Sequence, residues 1–557
     1  MPPTTPRERG REGLISWWFD WFYKMTEWVY IIVLAFSLRH RTWVLGLALL
    51  AFLGGLGITN FLGKEFIPPE DQGRFIIRMQ VPVDYSVDEA DRMFRRAEEI
   101  LRKFPEVTSI YYALGTGTTE EINKAVLFNT LKPKAERKKN QEQIKKEVRR
   151  ALAAIIGLKF SVEDVALIGG GQRMVPIQYS IRGRNLKELE AYSREVTNQF
   201  SKLPGIVDVD TSLESGKPEN RILIDRNKAA DLGVDIGSVA EVINILIGGE
   251  VDVTKFKDET RGRRYDVRAR LWAEGRTNPE DIGRLYVRSK DGRLVELANI
   301  VKIQEGGGPS IINRVDRQRA ITLFANLEGK TLGQAKGELD TIARKILPFE
   351  YSGTYKGMAD TMGESFQFLM FALLLGIVMA YMVLAAQFES FTQPFIILLS
   401  LPFSFIGAFG ALLLTGRTLN IFSFIGLILL MGLVKKNAIL LVDYTNTLRQ
   451  RGLARREAIL EAGPVRLRPI LMTTFAMIFG MLPVALGAGE GAETRSPMGI
   501  AVIGGLLTSL FLTLIVVPVA YDVAEGFLAK IRREKRTVEG EIREKERDSG
   551  NNPSPEF

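Results

Sequence analysis

The chain has 557 residues, 46% hydrophobic and 25% charged, with a net charge of +9, no cysteine and a single histidine, His40. That supply leaves no material for disulfides, zinc centres or Ser-His and Cys-His triads, and no GxxxxGKS/T phosphate loop is present, so an enzyme and a nucleotide-driven machine are both disfavoured and neither a cofactor nor a metal is expected. The basic excess clusters at the ends of apolar runs, where it reads as a membrane-topology signal and not as a nucleic-acid footprint.

In chain order, residues 1–13 are charged and proline-rich and are expected to be disordered. Residues 14–41 contain GLISWWFDWFYKMTEWVYIIVLAF, in which Ser16, Asp20, Lys24 and Glu27 fall three or four apart and form one polar stripe on an aromatic helix. A buried core helix could carry that stripe too, but four of the six tryptophans of the chain crowd here, as they do in helices lying along a membrane surface. Residues 42–62 hold the first apolar run long enough to cross about 30 Å of hydrocarbon.

The next 300 residues or so are charged and mixed in period. Residues 63–170 read GRFIIRMQVPV, a helix-like VDEADRMFRRAEEILRK, then FPEVTSIYYAL, KAVLFNTLKP, the helix KKNQEQIKKEVRRALAAI and KFSVEDVAL. The alternation of period 2 and period 3.6 predicts a βαββαβ order, the split-βαβ module with an antiparallel sheet. A second copy opens at 171–230 with VPIQYSIRG, NLKELEAYSREVTNQFSK and LPGIVDVDTSL, and resumes at 313–362 with AITLFANLEG, TLGQAKGELDTIARKI and LPFEYSGTYKG. Residues 231–312 interrupt it with short strands and a glycine-flanked hairpin at GGEVDVTKF.

Residues 363–527 supply five further apolar runs, at about 366–386, 394–415, 420–442, 468–487 and 497–521. Arginine and lysine before the first run (Arg39, Arg41), between the fourth and fifth (Arg449, Arg451, Arg455, Arg456) and after the sixth (Lys530, Arg532, Arg533) place those segments in the cytoplasm, so both termini are expected inside and the large insert outside. Residues 528–557 are charged and expected to be disordered. The fold class is therefore an α+β membrane protein, six transmembrane helices carrying a large exported insert of split-βαβ modules. In the fourth run, GLVKKNAILLVDYTN, Lys436 and Asp443 share a helix face with Leu433 and Leu440, and Asn437 adds a further polar group. An ammonium there costs on the order of 3 kcal/mol by insertion scales, and such residues pair and serve function. The fifth run adds Arg466 at its start and Thr473 and Thr474 one to two turns inside; a hydroxyl at that depth either bonds its own helix or relays a proton.

GKEFIPPEDQGRF, AAQFESFTQPFIILLSLPFSFIGA, GLVKKNAILLVDY, RLRPILMTT and IVVPVAY, taken in that order, resemble the C-terminal half of a resistance-nodulation-division (RND) exporter of the hydrophobe and amphiphile efflux group, over residues 14–527. The resemblance implies two porter modules, a docking subdomain at 231–312 and a place in the bacterial inner membrane with the insert in the periplasm. It further implies that Lys436 pairs with two adjacent aspartates of the other half to form a proton relay with Arg466 and Thr473, although Lys435 stands where the family often has a small or apolar residue. No span of this chain carries an Asp-Asp pair, so a complementary half, further copies of the chain using Asp443, or the rest of a longer chain is expected. The loop LGTGTTEEIN, with Gly115, Thr116 and Gly117, matches the family's mobile loop between drug pockets, and Tyr111 and Phe128 fall at aromatic pocket positions, which core packing would explain equally well. The docking subdomain implies a periplasmic adaptor and an outer-membrane channel as partners. The competing readings are a non-transporting structural subunit and a SecD/SecF-like translocation accessory.

Overall fold

The computed structural model describes residues 14–549 apart from 116–120, 166–172, 174, 214–216, 309–310, 488 and 490. The segment 1–13, Thr116, Gly117 and the last eight residues of the tail therefore lie outside the described residues.

Helix α1 (Leu14–Arg39) turns at His40 into α2 (Arg41–Ile58). The first αβ module follows: β1 (Arg74–Gln80), α3 (Val87–Leu101), β2 (Val107–Leu114), β3 (Lys124–Leu131), α4 (Gln141–Leu152) and β4 (Lys159–Asp164). Its sheet order is β2-β3-β1-β4, antiparallel throughout. Ser86 starts α3 by accepting the Glu89 amide, and the helix then buries Ala90, Phe94, Ala97 and Leu101 at steps of four, three and four.

The second module repeats this plan with β5 (Ile177–Gly183), α5 (Leu186–Ser201) and β6 (Ile206–Thr211). After an insertion and a two-residue strand β13 (Arg314–Val315), it continues with β14 (Gln318–Leu327), α8 (Leu332–Ile346) and β15 (Ser352–Tyr355). Here β15 pairs β5, β5 pairs β14 and β14 pairs β6, the same order as in the first sheet. Helix α5 buries Leu189, Ser193, Val196 and Phe200 at the same steps as α3, which is why the two stretches looked alike in sequence.

The insertion is a subdomain with its own core of Ala229, Val234, Val239, Leu285, Val287, Leu297 and Ile300. It comprises β7 (Lys217–Ile224), α6 (Arg226–Asp231), α7 (Ile236–Ile243), the hairpin β8 (Glu250–Asp258) and β9 (Arg263–Ala269), the short β10 (Tyr286–Arg288) and β11 (Leu294–Glu296), and β12 (Val301–Gly308). Strand β7 pairs β12 from Lys217↔Gly308 to Ile224↔Val301. The subdomain thus begins at this stem and not at residue 231 as the sequence predicted: nothing in KPENRILI marks a domain boundary, and only its pairing partner reveals where it belongs.

The two modules meet at Asp208, a non-glycine residue in the left-handed region (φ 52°) that aspartate tolerates better than most. Its carboxylate accepts from Arg149 Nε (2.9 Å) and the Val162 amide (3.0 Å) of the first module and from Asn326 Nδ2 (2.9 Å) of the second. Asp71, in the segment leading to β1, accepts from Arg137, from the Gln141 amide at 3.0 Å and from the Gly73 amide at 3.2 Å. Burial raises its pKa, but the Arg137 and backbone hydrogen bonds outweigh that and hold it below the ordinary 3.8. A depressed carboxyl gives stability that is present above its unfolded pKa and lost as pH falls through the folded value. Asp71→Asn is accordingly expected to lower stability near neutrality and to flatten the loss below about pH 4, read by acid titration of the folded protein.

The remaining helices are α9 (Met358–Phe388), α10 (Thr392–Leu398), α11 (Ser400–Leu414), α12 (Ile421–Gln450), α13 (Arg455–Leu486) and α14 (Ala492–Ser549). Among the described residues six helical segments, with α10 and α11 counted as one, are long and apolar enough to cross a membrane. The C-terminal half of α1 packs on this bundle through Tyr30, Leu34 and Leu38, and the Tyr30 hydroxyl donates to the Leu514 carbonyl at 3.1 Å. Trp21 and Trp28 stay exposed on its other side. Helix α14 continues to Ser549, against the expected disorder from residue 528: KIRREKRTVEGEIREKERDS is rich in strong helix formers and extends an already nucleated helix.

Candidate functional site

Asn420 starts α12 with a buried capping box: its side chain accepts the amides of Phe422 (3.1 Å) and Ser423 (3.0 Å), and Ser423 Oγ accepts the Asn420 amide at 2.8 Å. From that fixed start the helix phase is set. Leu427, Leu430, Val434, Ala438 and Leu441 are buried, whereas Ile425, Leu429, Gly432, Lys436 and Asp443 form an exposed stripe at steps of four, three, four and seven. Lys436 is on the stripe and Lys435 is half-buried beside it, which answers which of the two ammonium groups faces outward. Among the described residues neither lysine forms a hydrogen bond or an ion pair. Asp443 lies seven residues on, about 10 Å along the axis, too far to neutralise Lys436.

Asn437, about 100° round the helix from Lys436, is buried at 2% exposure, and its Nδ2 donates to Thr474 Oγ1 of α13 at 3.3 Å. Thr473, the sequence candidate, instead donates to the Ile470 carbonyl of its own helix at 3.2 Å. Arg466 stacks on the Tyr444 ring (4.5 Å), and its Nε is buried with no hydrogen-bond partner among the described residues. The five residues named from sequence thus fall into separate places: Lys436 and Asp443 on one open face, Asn437 in the α12–α13 seam, Arg466 by Tyr444, and Thr473 bonded within α13. Thr474→Val removes the partner of a buried amide whose Oδ1 is already unsatisfied and is expected to cost about 1 kcal/mol, with Thr473→Val within about 0.5 kcal/mol of the parent, measured by thermal unfolding in detergent.

In the insert, Tyr111 and Phe128 are cross-strand neighbours on β2 and β3, their ring centroids 5.9 Å apart. Both are exposed, Tyr111 at 66%, so neither is packed in the core, and Gly115 ends β2 with φ 68°. Among the described residues they line none of three clefts between the modules, one of which, of about 630 Å³, is lined by Val81, Asp84, Lys159, Ser193 and Thr197 among others. Another, of about 480 Å³, lies where the modules meet the linker after α2 and the start of α9 and is lined by Glu65, Phe66, Arg149, Asn326, Leu332 and Met358 among others. The third, of about 280 Å³, lies between the sheets. Arg173 spans it, bonding Glu163 at 2.9 Å and Asp210 at 2.8 Å while lying over the Phe324 ring.

Six apolar helical segments, paired βαββαβ modules and a lysine on an open helix face bear on one family, and the model of the AcrB/AcrD/AcrF family matches residues 4–525. The chain belongs to the AcrB/AcrD/AcrF family. The RND resemblance carried by the five motifs and the α+β membrane fold are thereby borne out. The multidrug resistance protein MdtC of Erwinia tasmaniensis is 32% identical over 509 residues, covering 90% of this chain and 48% of that protein. MdtC of Proteus mirabilis is 30% identical over 507 residues, covering 89% and 48%. A crystal structure of a heavy metal efflux pump superposes with a TM-score of 0.81 at 26% identity, covering 91% of this chain and 53% of the pump. The chain thus spans about half the length of the curated relatives it matches.

Within this AcrB/AcrD/AcrF-family chain, the sequence reading missed one cluster. Asp522 on α14, fully buried, pairs with Arg455 of α13 at 2.6 Å and Arg41 of α2 at 3.0 Å, with Arg456 at 3.7 Å. One turn along, Arg449 of α12 bonds Glu525 (2.9 Å) and the Tyr521 hydroxyl (2.8 Å). The signal was present: an aspartate in the last turn of an apolar run, YDVAEGF, among arginines counted only as topology markers.

Proposed function

We propose that the chain is one half of a proton-driven exporter of hydrophobic or amphipathic compounds, in which Lys436 is held by carboxylates of a complementary half. The observation that carries this reading is the open stripe of α12: an ammonium on an apolar span with no carboxylate paired to it among the described residues. A lysine side chain serves here as a point positive charge and not as the proton carrier. Its charge keeps partner carboxylates ionised until protons arrive, and their neutralisation releases it, so α12 has two positions. The Asn437–Thr474 bond makes α13 follow.

The protein sits in the bacterial inner membrane with both termini cytoplasmic and the insert periplasmic, Trp21 and Trp28 at the interface. Tyr111 and Phe128, exposed on the first module, present an aromatic surface to amphipathic substrate, with Gly115 just past the end of β2. The subdomain of residues 217–308 meets an adaptor and an outer-membrane channel. A metal cargo is the weaker alternative: Met79 is locked in the core of the first module, so it offers no open thioether ligand. The deciding experiment is the mass of the particle extracted gently from native membranes together with drug accumulation in those cells. A complex containing a second, Asp-Asp-bearing half and low accumulation support the reading; a monomer with no effect on accumulation overturns it.

A further inference from the structure

The segment joining α2 to the first module is clamped on both sides. Leu419, just before α12, donates its amide to the Gly63 carbonyl (2.8 Å), the Glu65 amide donates to the Leu419 carbonyl (3.1 Å), and the Ile421 amide donates to the Phe66 carbonyl (3.2 Å). Lys64 and Leu419 form a parallel β-bridge. On the other side the Lys64 carbonyl accepts the Gly333 amide, in the first turn of α8 of the second module, at 2.9 Å. The approach needs glycine twice: a Cβ on Gly63 would lie 2.5 Å from Thr331 Cγ2, and one on Gly333 3.0 Å from Lys64 Cβ.

One side-chain bond crosses this clamp. Thr418 Oγ1 donates to Glu65 Oε2 at 2.8 Å, and Asn420, the cap of α12, donates its Nδ2 to the Thr418 carbonyl at 3.1 Å. Among the described residues no cation pairs with Glu65. Burial raises its pKa, and the Thr418 hydrogen bond offsets that in part. An unpaired, partly buried carboxylate is a costly way to fill space, so the contact it makes is its reason to be there.

We propose that Glu65 is a positioning residue of the export cycle: with Thr418 it fixes the linker to the N-terminus of α12, so that displacement of the Lys436 helix is delivered through Lys64 and Gly333 to α8 and the second module. The role rests on the export reading, but the contact can be tested apart from it. The chain has no cysteine, so Leu414→Cys at the end of α11 and Lys345→Cys on α8 give two unique spin-label sites in the full chain in lipid. Glu65→Leu and Thr418→Val are each expected to broaden the label distance distribution about twofold, the double variant no further than either single, and Thr418→Ser not at all. The thermal midpoint stays near the parent's, and efflux at equal membrane abundance falls roughly five- to tenfold in both single variants and recovers with Thr418→Ser. Parent-like distributions in both singles, additive broadening in the double variant, or lost efflux that tracks lost thermal stability would each overturn the proposal. Should Glu65→Leu fail to accumulate, the Thr418 pair of variants reads the same bond from its donor side. A parent that exports nothing sinks the export reading, while the distance measurements still decide whether the clamp exists.

Discussion

Lys436→Ala is expected to abolish export while leaving the protein in the membrane at its normal abundance. The side chain is exposed on the open stripe of α12, so its truncation opens no cavity and breaks no bond within the chain. On the proposed reading the loss is confined to what Lys436 does with a partner half, in an α12 that has two positions. A close charge pair in a desolvated site is worth on the order of 3 kcal/mol, more than a hundredfold in the equilibrium between the two positions of α12. Accumulation of a fluorescent amphiphile in cells carrying the complete assembly reads this directly, and accumulation should rise to that of cells without the protein. Lys435→Ala, one residue round the helix and half-buried, is the control and should export near normally. Parent-like export by Lys436→Ala would remove the ammonium from the mechanism.

Asp522→Ala is expected to be the most damaging single change to stability. The carboxylate is inaccessible and is the common partner of Arg41, Arg455 and Arg456, which come from α2 and α13. Taking one member out of a buried ion cluster leaves charges without compensation, at a cost of about 3–5 kcal/mol. The thermal midpoint of the solubilised protein should fall and its abundance with it. Asp522→Asn, which keeps the shape and loses the charge, should fall in between. Because Arg449 is held separately by Glu525 and Tyr521, its contacts should survive, so Arg449→Ala combined with Asp522→Ala should add to the loss nearly in full.

Periodicity made most of the fold readable. A split-βαβ module buries one face of each helix and of each strand, so steps of four, three and four in α3 and α5 and the alternation in β1 carry the topology in the local sequence. Pairing is not local. The stem strand Lys217–Ile224 would read the same in sequence whether its partner were a module strand or β12. Helix phase limits the site in the same way: Thr473 and Thr474 differ by about 100° around α13, and only the position of α12 determines that Thr474 meets Asn437. Lys436 was legible because its chemistry conflicts with its surroundings. Asp522 conflicts with its surroundings just as strongly, but its partners are far apart in sequence, and arginines near membrane spans already have an explanation.

The inserted subdomain leaves after β6 and returns to β14, and those two strands pair with each other. Departure and return are therefore adjacent, and the β7–β12 ladder rises from them as a single two-stranded stalk. A tilt of that sheet edge would swing the far end of the stalk as a rigid pointer, multiplying small angles into larger sideways travel. It also means that the appendage could be exchanged for another of different length without disturbing a single pairing in the sheet beneath it.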